Sequence, residues 1–225
     1  MLIPRERNIV AFATLFLACA ATASAQSTDD RRPLFDGRTL EGWKHVGPGR
    51  FVVEDGMLRT EGGMGLLWYA GEKLGDCIIH VEYKTGTERS NSGVYVRIAE
   101  EPTDPWYAVH NGFEVQIADG GKPERRTGSI YTFAPAEKQP GKSLEWNTLE
   151  ITLKGNRIST EINGTPVADF DASELRPESE KKIGEGDPSR GPRPEAGYIG
   201  LQNHDENSIV YFREVSVRPL PATLK

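Results

Sequence analysis

Hydrophobic and polar residues alternate with a two-residue period along much of the chain, and the alternation is cleanest between Ser90 and Asp119. Val94, Val96 and Ile98 fall on one side of a predicted strand, with Gly93, Tyr95 and Arg97 on the other. Phe113, Val115 and Ile117 repeat the pattern against Glu114, Gln116 and Ala118. Each strand therefore offers one apolar face to a core and one face rich in hydrogen-bonding groups. Cys77, Ile79, Val81 and Tyr83 alternate in the same way with Ile78, His80, Glu82 and Lys84, which adds Glu82 to the polar inventory.

Turn signals divide the rest of the chain into short strands. Asp55-Gly56 and Asn163-Gly164 supply the positive φ angles of tight hairpins, within Phe51 to Thr60 and between Ile162 and Thr165. Thr127 to Phe133 reads as another strand. The meander from Trp146 through Ile162 reads as a structural back sheet, and Gly197 to Asn203 with Ser208 to Val217 as a closing pair whose alternation slips near Arg213-Glu214. Ala99 to Asn111 is a long aromatic-rich loop between the two central strands, and Asp171 to Glu195 is a Pro-, Gly- and Glu-rich surface loop with one helical turn near Ala172 to Leu175. No long stretch carries helical periodicity, so the expected architecture is all-β, an antiparallel β-sandwich over residues 34–220.

Composition changes this picture mainly at the amino terminus. Arg5 and Arg7 precede an apolar run from Ile9 to about Ala21, and Ala23-Ser24-Ala25 offers small residues for a signal peptidase, so residues 1–25 read as a secretory signal peptide followed by a polar lead-in, 26–33. The run is short for a membrane span. An exported chain, in the periplasm or at the cell surface, is the expectation. An alternative takes Cys19 as the lipidated residue of a lipoprotein signal. Cys77 then stands alone and reads as a small hydrophobe on a core face. The formal charge of −6 argues against a nucleic-acid groove or an anionic membrane surface as partner.

The P-loop, Rossmann, C-x-x-C, H-E-x-x-H and G-x-S-x-G signatures are missing, and the four histidines are scattered. A divalent cation held by carboxylate and carbonyl oxygens stays open, because such ligands come from loops without fixed spacing. The Asn, Tyr, Arg, Glu and Gln of the polar face make a set of amide, carboxylate, guanidinium and aromatic groups suited to sugar hydroxyls and a pyranose face.

The blocks LFDGRTLEGW (34–43), NSGVYVR (91–97), NGFEVQIAD (111–119), TGSIY (127–131) and GYIGLQNHDENSIVYFREVSVRPL (197–220) resemble, in order, those of the DUF1080 family, the bacterial 3-keto-disaccharide hydrolase domain. One departure is local: Asp205 follows His204 where the family commonly has Gly. The resemblance implies a concanavalin A-like jelly roll, export, and cleavage of glycosides whose C3 hydroxyl has been oxidised to a ketone. Such chemistry asks for a base, an acid and a partner for an enolate oxygen. Glu114 and His204 are the proton-transfer candidates, their order left open, with Arg97 or a divalent cation at the oxyanion. Asn91, Gln116, Tyr131 and Glu82 are the substrate-binding candidates. The alternative is a lectin-like protein that binds carbohydrate without turnover.

Overall fold

The computed structural model describes residues 30–175 and 191–221. The expected signal peptide, with Cys19, and much of the loop expected between Asp171 and Glu195 lie outside them. The described residues form two antiparallel sheets. One has five strands in the order β2 (Trp43–Val46), β5 (Gly65–Tyr69), β12 (Tyr198–Asn203), β7 (Asn91–Ile98) and β8 (Phe113–Ala118). The other runs β11 (Thr165–Asp171), β10 (Arg157–Ile162), β9 (Asn147–Lys154), β6 (Cys77–Thr85), β13 (Val210–Pro219), β4 (Met57–Glu61) and β3 (Arg50–Glu54), and the short β1 (Arg32–Pro33) pairs with β13 as its eighth strand.

The alternation read from the sequence decides which residues meet between the sheets. Val94 and Val96 of β7, with Phe113, Val115 and Ile117 of β8, are fully buried against Ile79, Val81, Leu149 and Ile151 of the eight-stranded sheet. Each such side chain contributes about 1.5–3 kcal/mol by leaving water. Slipping β8 by one residue would turn three of them outward at once, so burial pins the register Gly93↔Gln116, Val94↔Val115, Tyr95↔Glu114. Asp55 (φ 49°) and Gly56 (φ 78°) make the expected turn between β3 and β4. The register shift in β13 falls between Phe212 and Glu214, where the alternation slips in the sequence. Cys77 is buried, and burial pushes its thiol up to about 12, so it is an inert core residue.

Three expectations are corrected. Thr127 to Phe133 forms no extended strand; Ile130 makes isolated bridges to Val115 and Ala134. The loop between β7 and β8 contains a short helix, α1 (Pro105–Asn111). Asp104 caps it by accepting from the Trp106 and Tyr107 N–H groups, and Pro105 sits in its first turn. The third correction concerns Arg97. Between Tyr198↔Ile98 and Gly200↔Tyr95, β7 spends one residue more than β12, and Arg97 absorbs it with φ 55°. This bulge reverses the alternation, so Ile98 joins the face of Tyr95 while the Arg97 side chain, 1% exposed, donates to the backbone carbonyls of Gly155 and Arg157 at the β9–β10 turn.

Arg97 thus ties one sheet to the other and does not share a face with Glu114. Burial pulls its pKa down, and Glu195 and Asp76 act in the opposite direction. Arg97→Leu is expected to cost about 2–4 kcal/mol, because it strips the donor from two carbonyls in a part-buried setting. Urea denaturation measures this; an unchanged midpoint would show that the side chain carries no structural load.

Candidate functional site

The outer face of the five-stranded sheet is polar only in part. Leu66 and Trp68 on β5, Tyr95 and Ile98 on β7, and Ala108 and Val109 on α1 pack into a second apolar cluster, separate from the main core. Helix α1 therefore covers one part of this face. That is why β5 reads as an unbroken apolar run, Gly65-Leu66-Leu67-Trp68, with both of its faces buried. Beyond the cover lies a cleft of about 150 Å³, lined by Met64, Asn91, Trp106, Val109, Glu114, Gln116, Tyr131, Gln202 and His204.

Strand period places most of these groups. Asn91, Gly93 and Tyr95 of β7, Glu114 and Gln116 of β8, and Gly200 and Gln202 of β12 point to the cleft side. Glu114 is only 8% exposed. Burial pushes its carboxyl up to about 8, against the opposing pull of hydrogen bonds from Tyr95 and Gln202. Gln116, with its amide oriented to satisfy its surroundings, donates to Glu114 Oε1 at 3.1 Å, Asn91 Oδ1 at 3.3 Å and the Ser92 carbonyl at 2.7 Å. Gln202 Nε2 donates to the Tyr95 hydroxyl at 2.6 Å, while Gln202 Oε1 is buried with no protein partner. The Ser92 hydroxyl donates to the Gln202 carbonyl at 2.6 Å, which couples β7 to β12 directly under the site.

Glycine at position 93 is a steric requirement of this arrangement. A Cβ built there would lie 2.6 Å from Glu114 Oε1 and 2.8 Å from its Cγ, so the carboxyl rests over the bare backbone of the neighbouring strand. From below, the Tyr131 N–H donates to the Glu114 carbonyl at 2.8 Å and fixes Tyr131 at the cleft wall, where Arg125 stacks on its ring.

His204 stands on the rim, its side chain 42% exposed, just after β12. Its Nδ1 meets Asp205 Oδ2 at 2.7 Å, which leaves Nε2 for a ligand. Asp205 also accepts from the Ser208 hydroxyl and the Asn207 N–H. The Ser208 hydroxyl in turn accepts from the Asn91 N–H at 3.0 Å, so one chain of hydrogen bonds joins the turn bearing His204 to the start of β7.

The structure thus brings Asn91, Glu114, Gln116, Tyr131 and His204 around one cleft, and leaves two of the sequence candidates out. Arg97 points between the sheets, for the reason given above. Glu82 lies on the outer face of β6 in the other sheet, where it pairs with Arg213, and that contact holds its carboxyl below the usual range. Alternation gave Glu82 a polar face but could not say of which sheet. Met64, Trp106, Val109 and Gln202 complete the lining of the cleft; Gln202 carried a signal through its phase on β12, and Trp106 through the aromatic-rich loop between the central strands. Glu114 and His204 are the two cleft-lining residues, among those described, whose carboxylate or imidazole could serve a metal as ligand. Among the described residues, the one trio of such groups within mutual reach is His80, Glu82 and Glu214, on the eight-stranded sheet and away from the cleft.

A two-sheet sandwich with a buried, near-neutral carboxyl on the floor of a small polar cleft is the class of molecule that fold and site define. The chain belongs to the 3-keto-alpha-glucoside-1,2-lyase-like domain family, whose match spans residues 30–218. It is 25% identical to the 3-keto-disaccharide hydrolase of Bacteroides thetaiotaomicron over 83% of this chain and 77% of that one. Among solved structures, a proposed glycosyl hydrolase from Parabacteroides distasonis is 30% identical, with a TM-score of 0.68 over 84% of this chain and 99% of that one. A Bacillus subtilis protein of galectin-like fold matches at 15% identity and a TM-score of 0.58, over 84% of this chain and 94% of that one, which places the sandwich with the jelly-roll folds.

The proton held by Glu114 links the cleft to stability. In the unfolded chain the carboxyl loses its proton near its ordinary 4.5, whereas the folded chain keeps it to about 8. Between those values the folded state binds the extra proton, so stability falls as pH rises through the window, by on the order of 5 kcal/mol in total. Glu114→Gln removes that dependence. Urea denaturation from pH 5 to 8.5 should show the variant gaining on the wild type as pH rises; parallel curves would show that Glu114 titrates normally.

Proposed function

We propose that the chain cleaves glycosides whose sugar ring carries a ketone at C3, by proton transfer at C2. The observation that supports this most directly is Glu114, a buried carboxyl tuned to about 8 on the floor of a cleft otherwise made of amides and hydroxyls. The family and the named relative agree with it. A glycosidase acting through an oxocarbenium ion uses two carboxyl groups flanking the bond, whereas among the described residues the side chains lining this cleft include a single carboxyl, Glu114.

The chemistry follows from the ketone. It acidifies the C2 proton, which ionised Glu114 removes; the electron pair forms an enolate, and its collapse expels the C1 substituent. His204, on the rim with Asp205 on its Nδ1, gives a proton to the departing oxygen. The product at this point is an unsaturated keto sugar. Water adding at C1, with return of the proton to C2, completes a net hydrolysis, and release before that addition makes the outcome a lyase one. The enolate oxygen falls to the hydroxyl and amide donors of the cleft, since Arg97 is elsewhere. Gln202 Oε1, a buried acceptor without a protein partner in a residue that lines the cleft, supports a further hydrogen bond to a sugar hydroxyl in this reading.

Incubation with a 3-keto-glucoside and, in parallel, its unoxidised parent tests the reading through aglycone release. The wild type should act on the ketone alone, with kcat rising through pH 8 as Glu114 ionises. Glu114→Gln should cut turnover by at least about a hundredfold while leaving product binding nearly intact. Release from both sugars at equal rates would contradict C2 chemistry. Binding of sugar without turnover of either would replace the enzyme reading with a lectin-like one.

A further inference from the structure

The cleft is smaller than the substrate of a glycoside-cleaving protein. Sites that enclose a drug-sized ligand measure about 300–1,000 Å³. At about 150 Å³ this one accommodates a single ring-sized group, so the second group of any glycoside bound there lies outside it, against the rim. What the rim offers is specific. Of the large hydrophobic side chains among the described residues, two stand exposed, Trp106 and Leu144, each at 50%. Trp106 is one of the residues that line the cleft.

The position of that indole is set by well-defined local structure. Asp104 accepts from the N–H groups of Trp106 and Tyr107, at 2.9 and 3.2 Å, and locks the first turn of α1. Val109 lies one turn on, 7% exposed and packed in the apolar cluster beneath the helix, so the shared i, i+3 face directs Trp106 along the cleft edge while Val109 anchors it. An indole half in water, held on a helix that is itself buried on its underside, presents an apolar ring surface at the cleft lining. The aromatics Trp68 and Tyr198 on the same sheet differ: they pack edge to face at 4.9 Å between ring centres and are already mutually engaged.

We propose that Trp106, continued by Met64, is the platform for the leaving group, and that it selects leaving groups presenting a flat apolar ring face, whether the face of a second pyranose or an aryl ring. The inference rests on the reading of the cleft as the seat of the reacting ring. With that ring against Glu114 and the departing oxygen directed to the rim by His204, the leaving group emerges beside the indole.

The test compares kcat/KM of wild type, Trp106→Ala and Trp106→Phe on three 3-keto-glucosides whose leaving groups are phenyl, glucosyl and methyl. Because intrinsic reactivity is the same for every protein, the informative quantity is the phenyl-to-methyl ratio and the glucosyl-to-methyl ratio in each variant relative to wild type. Trp106→Ala should lower both ratios about tenfold, and Trp106→Phe should restore most of the loss. A fall in the phenyl ratio alone would assign the platform to aryl groups, and a fall in the glucosyl ratio alone to a second sugar. Unchanged ratios overturn the proposal, including the case in which all three substrates slow together because Trp106 merely shapes the cleft.

Calorimetric titration with unoxidised phenyl and methyl glucosides provides a readout that does not depend on turnover. Loss of about tenfold in phenyl glucoside affinity on Trp106→Ala, with little change for the methyl compound, supports the platform even in a protein that releases no aglycone. Equal affinities in wild type and variant overturn it. Absence of turnover with all three keto-glucosides would reject the catalytic reading separately.

Discussion

Burial of one carboxyl is the constraint from which the rest of this molecule's chemistry follows. Glu114 sits in a strand whose opposite face, Phe113, Val115 and Ile117, is sealed in the core, so its own side chain has no choice but the outer face. There it would be an ordinary solvated carboxylate if the sheet were bare. Instead the neighbouring strands close around it: Gly93 gives up its side chain so that the carboxyl can lie over the backbone, and Tyr95, Gln116 and Gln202 fill the space beside it with polar groups. Desolvation then outweighs those hydrogen bonds, and the group's affinity for a proton rises until it titrates at about 8, close to neutral pH.

Helix α1 is the second determinant. A five-stranded sheet packed on one face only would present a long open surface, suited to extended polysaccharide. By covering Leu66, Trp68, Tyr95 and Ile98, α1 shortens that surface to a cleft of about 150 Å³, and it brings Trp106 to the cleft's edge. The same element therefore contributes to burial of the cluster beside Glu114 and to the shape of the entrance. The two outcomes sketched for the chemistry, hydrolysis and elimination, share the deprotonation step proposed for Glu114, and differ only in when water reaches the intermediate.

Much of this was legible in the alternation of residues. The period-two pattern of β7 and β8 placed Asn91, Glu114 and Gln116 on one face, and the Asn-Gly and Asp-Gly turns located hairpins of the larger sheet. Three things were not legible, each for a physical reason. Arg97 follows the period in the sequence, yet the extra residue accommodated at its positive φ sends it to the opposite face, and nothing local distinguishes an Arg that continues a strand from one that breaks it. Glu82 obeys its strand's period, but period carries no information about which sheet a strand joins. The third is α1, whose seven residues are too few to show helical periodicity. Its Asp104-Pro105 start signals the helix, and read with the aromatic-rich loop around it would have brought Trp106 forward as a site residue.

The central claim, that the folded chain holds a proton on Glu114 to about pH 8, can be observed directly. Carbon-13 NMR of protein labelled at the glutamate side-chain carboxyl, titrated from pH 3 to 10, should show one resonance with a midpoint near 8 that disappears in Glu114→Gln. A wild-type spectrum in which every glutamate titrates near its ordinary value, with no resonance lost above pH 7 in the variant, would contradict the account.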